Sequence, residues 1–200
     1  MEIVEKIKEV LFSPSDFFKK IKEEKGIGKP FIYFAILSLV FFALMTIPIM
    51  AKLPFYQGMT IEMIPIFYVI SLISIFVSSG IIHLFIKLVG GKGDYQKTFK
   101  AMVYSSTPSL LLAWIPYIGP LFSLWALYLA IKGVSILHDI SMGKAFLAVF
   151  LIPLILAFII SFILGILMGL TIITSIRGTF EITSVKGITG SFLQVLRPFV

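Results

Sequence analysis

Hydrophobic positions in this chain come in long blocks, without the alternation of a half-buried strand. Pro30 to Ala51, Met63 to Ile86, Ala101 to Ile131 and Ala145 to Ile176 contain no Asp, Glu, Lys or Arg. Each block reaches the roughly 20 apolar residues that cross a hydrocarbon core of about 30 Å. Lipid offers backbone N–H and C=O groups no partners, so the blocks predict membrane-spanning helices. The first covers about residues 30–51 and the second about 63–89. Ala101 to Ile131 would make a single helix of about 46 Å, too long for one ordinary crossing. In its middle stands Trp114-Ile-Pro116-Tyr117-Ile-Gly119-Pro120. Two prolines and a glycine interrupt a helix, and Trp and Tyr suit a membrane–water interface. A helical hairpin follows, with a third span at about 98–115, kinked at Pro108, and a fourth at about 119–138. A re-entrant half-span at 98–115 is the alternative. The last block predicts one helix over about 144–174, bent at Pro153. Residues 175–200 hold Gly178, Gly187 and Gly190 among Ser and Thr. They read as an extramembrane tail, weakly ordered or strand-like.

Composition strengthens the membrane reading. Hydrophobic residues make up 58% of the 200 positions and charged residues 14%, and the mean hydropathy is +1.05. A soluble domain is about half apolar and a quarter charged. The core of a soluble fold this size could not hide the four blocks. Lys and Arg then set orientation. Seven precede the first span (Lys6, Lys8, Lys19, Lys20, Lys22, Lys25, Lys29), and only Lys52 follows it. Lys87, Lys92, Lys97 and Lys100 flank the loop between spans two and three, and the Pro116–Pro120 turn has none. Lys132 and Lys144 flank the fourth loop, and Arg177, Lys186 and Arg197 follow span five. Alternate sides hold 13 and 4, which predicts an all-α bundle of five spans with its N-terminus in the cytoplasm and its C-terminus outside. The net charge of +7 sits at span ends, where it meets anionic lipid headgroups rather than nucleic acid. With Lys and Glu before the first apolar block, Pro30–Ala51 reads as a permanent span and not a cleaved leader. The chain has no cysteine, so it has no disulfide, thiol nucleophile or thiolate metal site.

Residues 1–29 differ in kind. Ile3, Ile7, Val10 and Leu11 recur at helical spacing between Glu and Lys. Ser13-Pro14-Ser15-Asp16 reads as a second helix start, with Ser13 as cap, Pro14 in the first turn and Asp16 closing a capping box. Phe17, Phe18 and Ile21 continue an apolar stripe. Two short amphipathic helices fit, either lying on the cytoplasmic leaflet or folded back on the cytosolic loops. A faint internal echo links Lys97-x-Phe99-x-Ala101 before Pro108 with Lys144-x-Phe146-x-Ala148 before Pro153, the proline offset differing by two residues.

No catalytic constellation is present, and no enzyme activity or cofactor is expected. The only histidines, His83 and His138, lie on different spans and lack the paired spacing of a zinc protease. Gly90-Gly91-Lys92-Gly93 lacks the strand that precedes a phosphate-binding loop. Ionisable residues within spans are the first place to look for function. Those near the cytoplasmic helix ends are His83, Lys87, Lys132, His138 and Asp139. They either converge as a polar cluster for an ion, a headgroup or a partner, or the lysines snorkel to the interface while the histidines bond nearby carbonyls. Three good metal ligands are not evident among them. Gly165 and Gly169 form a GxxxG motif that permits close helix approach, within the bundle or in a homo-oligomer. Ser71, Ser74 and Ser78 form a small-residue face expected to pack inside the bundle.

The stretch from His83 through Gly90, Gly91, Gly93, Phe99, Ala101 and Tyr104 to Pro108 resembles the core of the Yip-one domain family, named for proteins that interact with Ypt/Rab GTPases. Pro116, Gly119, Trp125, Gly133, His138, Ala145 and the opening Pro14-x-x-Phe17-Phe18 are similar too, so the resemblance runs over about residues 10–170. It implies a five-helix membrane domain with a cytosolic N-terminus, and a non-enzymatic scaffold or trafficking-like factor acting through protein or lipid contacts on the cytoplasmic face. Eukaryotic relatives act in vesicle traffic and membrane shaping and bind prenylated GTPases. This chain lacks their long N-terminal region and their Asp-Leu-Tyr-Gly-Pro type motif, so GTPase binding does not carry over with the resemblance. The compact, lysine-rich chain is similar to prokaryotic-type members, which implies a cell-membrane location. A small oligomeric channel or transporter using the His83–His138 cluster is the alternative function.

Overall fold

The computed structural model describes the backbone of residues 3–196 and the side chains of residues 3–177. Helices α1 (Ile3–Phe12) and α2 (Pro14–Lys20) precede α3 (Gly28–Met50), α4 (Ile64–Leu88), α5 (Tyr95–Ser105) and α6 (Thr107–Leu112). Then come α7 (Gly119–Leu137), α8 (Met142–Phe146), a π-helical turn at Leu147–Leu151, and α9 (Ile152–Leu196). No strand occurs among the described residues. Four helical stretches there are long and apolar enough to cross a bilayer: Gly28–Met50, Ile61–Leu88, Gly119–Leu137 and Met142–Arg177. The chain divides into two compact units, Met1–Pro153 and Leu154–Val200.

In the first unit α5 is the central post, packed against α3, α4 and α7. Thr98, Phe99, Lys100, Ala101, Val103, Tyr104 and Ser105 are all buried. Enclosure by protein, not lipid, lets this helix carry Thr, Lys and Ser. The segment expected as one kinked span at 98–115 is two helices, broken at Ser106 just ahead of Pro108. Proline offers no N–H to the carbonyl one turn back, that of Tyr104. The Thr107 hydroxyl donates to that carbonyl instead, at 2.6 Å. Tyr33 in turn donates to Thr107 Oγ1 at 2.9 Å, the hydroxyl hydrogen of Thr107 being already engaged.

The turn between α6 and α7 lies beside the loop between α3 and α4. Tyr56 donates its hydroxyl to the Trp114 carbonyl at 2.7 Å, and the Phe55 and Tyr117 rings meet edge to face 5.0 Å apart. Ahead of Pro153, where the sequence predicts a bend, the helix carries the π turn at Leu147–Leu151. Such a turn accommodates one extra residue and relieves the carbonyls facing a proline ring.

In the second unit α9 runs as helix to Leu196. Residues from Ser175 onward, read in sequence as weakly ordered or strand-like, therefore continue a helix, because no proline follows Pro153 until Pro198. Residues 197–200 of the expected tail lie outside the described backbone. Nearly every described side chain of this unit, including Phe158, Phe162 and Met168, is exposed.

Candidate functional site

The N-terminal helices fold back against the protein. They dock on the bundle through α6 and α7, and Val10, Phe17, Phe18 and Ile21 have 0–1% of their surface exposed. Phe18 sets the tip of its ring against Gly133 of α7, where an added Cβ would come within 2.7 Å of Cζ. Only glycine leaves room for this approach. Phe17 meets Tyr104 edge to face at 4.9 Å, and Tyr33 closes the cluster against Tyr104 at 5.1 Å. Lys6 of α1, nearly buried, sends its ammonium over the Tyr104 ring and to its hydroxyl.

Lys100 fastens the end of α2. Its ammonium, on a side chain 1% exposed, donates to the Ile21 carbonyl at 2.9 Å and the Glu24 carbonyl at 2.6 Å. Carbonyls at a helix C-terminus lack intrahelical partners and carry partial negative charge, so a cation is favoured there. Ser13 does sit at the start of α2 with Pro14 in its first turn, but its side chain makes no capping bond, and Asp16 pairs with Lys19 at 3.8 Å instead of closing a box. Lys100 replaces the cap at the other end of the helix.

A second joint lies at the adjoining ends of α4, α5 and α7. Thr98 Oγ1 stands 2.7 Å from His83 Nδ1 and 2.9 Å from His138 Nε2, and the two imidazoles are 5.9 Å apart. His138 is fully buried and its Nδ1 has no partner. Around this joint two helices end in left-handed turns. Gly90 (φ +90°) closes α4, with Gly91 N–H bonded to the Ile86 carbonyl, and Asp139 (φ +54°) closes α7, with Ile140 N–H bonded to the Ser135 carbonyl. Both follow the Schellman pattern, and Lys92 N–H to the His138 carbonyl, 3.2 Å, joins them. Asp139 reaches out to Lys22 at 2.5 Å. That bond holds its carboxyl below the usual carboxylate range.

Of the expected polar cluster, His83 and His138 therefore meet, through a threonine hydroxyl that sequence reading missed, and Asp139 pairs outward with Lys22. Lys87 is exposed, and Lys132 is partly buried without an ion pair or hydrogen bond to this group. Ser71 and Ser78 bond carbonyls of their own helix and Ser74 is exposed. The buried serine of α4 is Ser79, so the small-residue face is turned by about one position from the expected one. At Gly165 and Gly169 an added Cβ would meet nothing within 4 Å. The family-like Phe99, Tyr104 and Pro108 are all buried, Phe99 stacking on Phe76 at 4.9 Å.

Openings lie beside the docked α1 and α2 in the first unit. One is a polar cavity of about 330 Å³ lined by Lys22, Glu24, Lys25, Asp94, Lys97 and Lys100. Another is an apolar groove of about 770 Å³ between Leu11, Phe12, Pro108, Leu111, Phe122 and Trp125. No group of three metal-ligating side chains occurs among the described residues.

Compared with known proteins, the chain matches no curated protein and no solved structure. The family model of the Yip1 domain matches residues 8–182, a stretch that begins within α1 and includes α2 and the Lys100 and Thr98 contacts. A multi-pass arrangement of apolar helices, with Phe18 seated on Gly133 and Tyr104 at its centre, places the chain as an integral membrane member of the Yip1 domain family.

Proposed function

We propose that this protein is a non-enzymatic membrane scaffold whose docked N-terminal helix pair is a contact platform for a protein partner or lipid on the cytoplasmic face. The observation that carries this reading is the fastening itself. Phe17, Phe18 and Ile21 are buried, and Lys100 caps the end of α2, so the outer face with Glu5, Lys8, Asp16 and Lys19 is held in a fixed position. A rigid surface loses less conformational entropy on binding than a loose one. The platform belongs to a bundle with five crossings, N-terminus inside and C-terminus outside, in the cell membrane. In its favour, the α6–α7 turn lies at the level of the α3–α4 loop through the Tyr56–Trp114 bond, and basic residues alternate in the flanks. A homo-oligomer through Gly165 and Gly169 is compatible with their open surroundings. The channel reading is less favoured, because His83 and His138 bond Thr98 rather than line an opening.

The absence of cysteine from the chain makes the test clean. Single cysteines at Lys8 and Lys19, carrying a photo-crosslinker in native membranes, should each trap the same partner protein or anionic lipid. One at Val69, exposed on α4, should trap bulk lipid alone. Indistinguishable adducts from all three positions would dismiss the platform.

A further inference from the structure

We propose that the His83–Thr98–His138 joint is a proton-operated latch, in which a proton taken up by His83 loosens the docking of the N-terminal helix pair. The latch rests on the platform reading, for which it supplies a means of regulation.

The direction of the hydrogen bonds follows from the buried nitrogen. Thr98 has one hydrogen and must donate to one imidazole while accepting from the other. Were it to donate to His138 Nε2, His138 would carry its proton on Nδ1, a fully buried N–H with no partner. Orphaned buried N–H groups are rarer than orphaned acceptors. His138 Nε2–H therefore donates to Thr98 Oγ1, and Thr98 O–H donates to His83 Nδ1. Two donors face two acceptors, and the joint is satisfied except for one bare lone pair packed against Gly93.

His83 is the partly exposed member and the one a proton can reach. Its unprotonated nitrogen is Nδ1, which accepts from Thr98, so protonation turns that acceptor into a donor aimed at Thr98. Two imidazole N–H groups now point at Thr98 Oγ1, whose two lone pairs can take them, and the Thr98 hydroxyl hydrogen is the one that loses its acceptor. The charges around the joint do not offset this. Lys87 stands one turn further along α4, Lys92 in the following loop, and Lys97 on α5; Asp94, the N-cap of α5, opposes them, and on the α7 side Asp139 is engaged by Lys22. The strain falls on His138, whose carbonyl holds Lys92 N–H and whose neighbour Asp139 ties Lys22, two residues beyond α2.

The test is backbone hydrogen exchange of the purified full-length protein in nanodiscs, at about pH 7.5 and about pH 5.5 with the intrinsic rates corrected. The peptide spanning Phe17–Ile21 should exchange up to about fivefold faster at the lower pH, the most that an exposed tie such as Lys22–Asp139 can transmit, while α3 stays unchanged. His83→Gln, which keeps a neutral polar side chain, should abolish the acid step. Asp139→Asn should raise exchange at both values and remove the acid step, because the Lys22 tie is what carries the strain to the end of α2. Equal corrected rates in the unmodified protein, or an undiminished acid step in His83→Gln, would overturn the latch. The measurement needs no partner, so its failure leaves the platform untouched, and failed crosslinking leaves a measured acid step standing.

Discussion

Helix α5 and the first half of α9 reverse the usual relation between apolarity and burial. α5 carries Gln96, Lys97, Thr98, Lys100 and Ser105, and is enclosed almost all round. Leu154–Ile173 has only Ser161 and Thr171 as polar side chains and is exposed along nearly its whole length. In water such an arrangement would not stand. In a bilayer it follows directly, because lipid tails are as apolar as leucine and supply no drive to bury it, while polar groups gain by meeting each other inside protein. Apolarity here marks what faces lipid, and the polar residues mark where the chain meets itself.

That contrast can be broken most severely at the docked helix. Phe18→Ala should destabilise the first unit by about 3–5 kcal/mol, by lost transfer energy plus a cavity over Gly133. A lower midpoint of SDS-induced unfolding, followed by circular dichroism, would show it. Lys100→Met keeps the length of the side chain but takes the charged donor from the Ile21 carbonyl, which keeps only the Glu24 N–H at 3.2 Å, and from the Glu24 carbonyl. The expected loss is about 2–3 kcal/mol, and thermal unfolding in detergent should reveal an early transition confined to the N-terminal segment. Gly133→Ala forces the Phe18 ring aside and should cost about 1–2 kcal/mol, recoverable in part by pairing it with Phe18→Leu. A smaller effect attends the Lys22–Asp139 pair. Asp139 is held below the ordinary carboxylate range, so its contribution is present above about pH 4 and is lost as the pH falls through its folded value. For so exposed a pair the loss is under about 1 kcal/mol; proteolysis after Lys22 across an acid series would follow it. On α9, Leu164→Ala should leave the stability of the monomer within about 0.5 kcal/mol. A large shift there in dilute detergent would mean that α9 has a protein neighbour.

The two regions were also unequally legible in the sequence. Uncharged blocks announce α3, α4, α7 and α9, because crossing lipid imposes a length and an apolarity that a single sequence displays. α5 meets no such constraint. Lys100 counts among topology signals in the sequence, and nothing in its neighbours distinguishes a snorkelling lysine from one that fastens a helix 79 positions earlier. Thr98 is silent for a similar reason: a lone hydroxyl gains meaning only when α4 and α7 bring two histidines to it. The amphipathic pattern of Phe17, Phe18 and Ile21 was readable, but a stripe of that kind serves a leaflet and a bundle equally well. The choice between them rests on Gly133, far along the chain. Ser13 offered a capping pattern that the folded helix leaves unused, and Ser79 rather than Ser74 faces inward through a small rotation of α4 that periodicity does not resolve.

The long sequence separation of the fastening also imposes an order of events in time. Ile21 leaves the ribosome 79 residues ahead of Lys100, and Lys6 precedes Tyr104 by 98. At roughly 5–20 residues per second this is an interval of about 4–20 s. Throughout it Phe17 and Phe18 have no bundle to enter, and Lys6 is still available to the machinery that reads positive charge and sets orientation. Docking is thus a late step in biogenesis, and a nascent chain stalled before Lys100 would display an unclaimed aromatic hairpin.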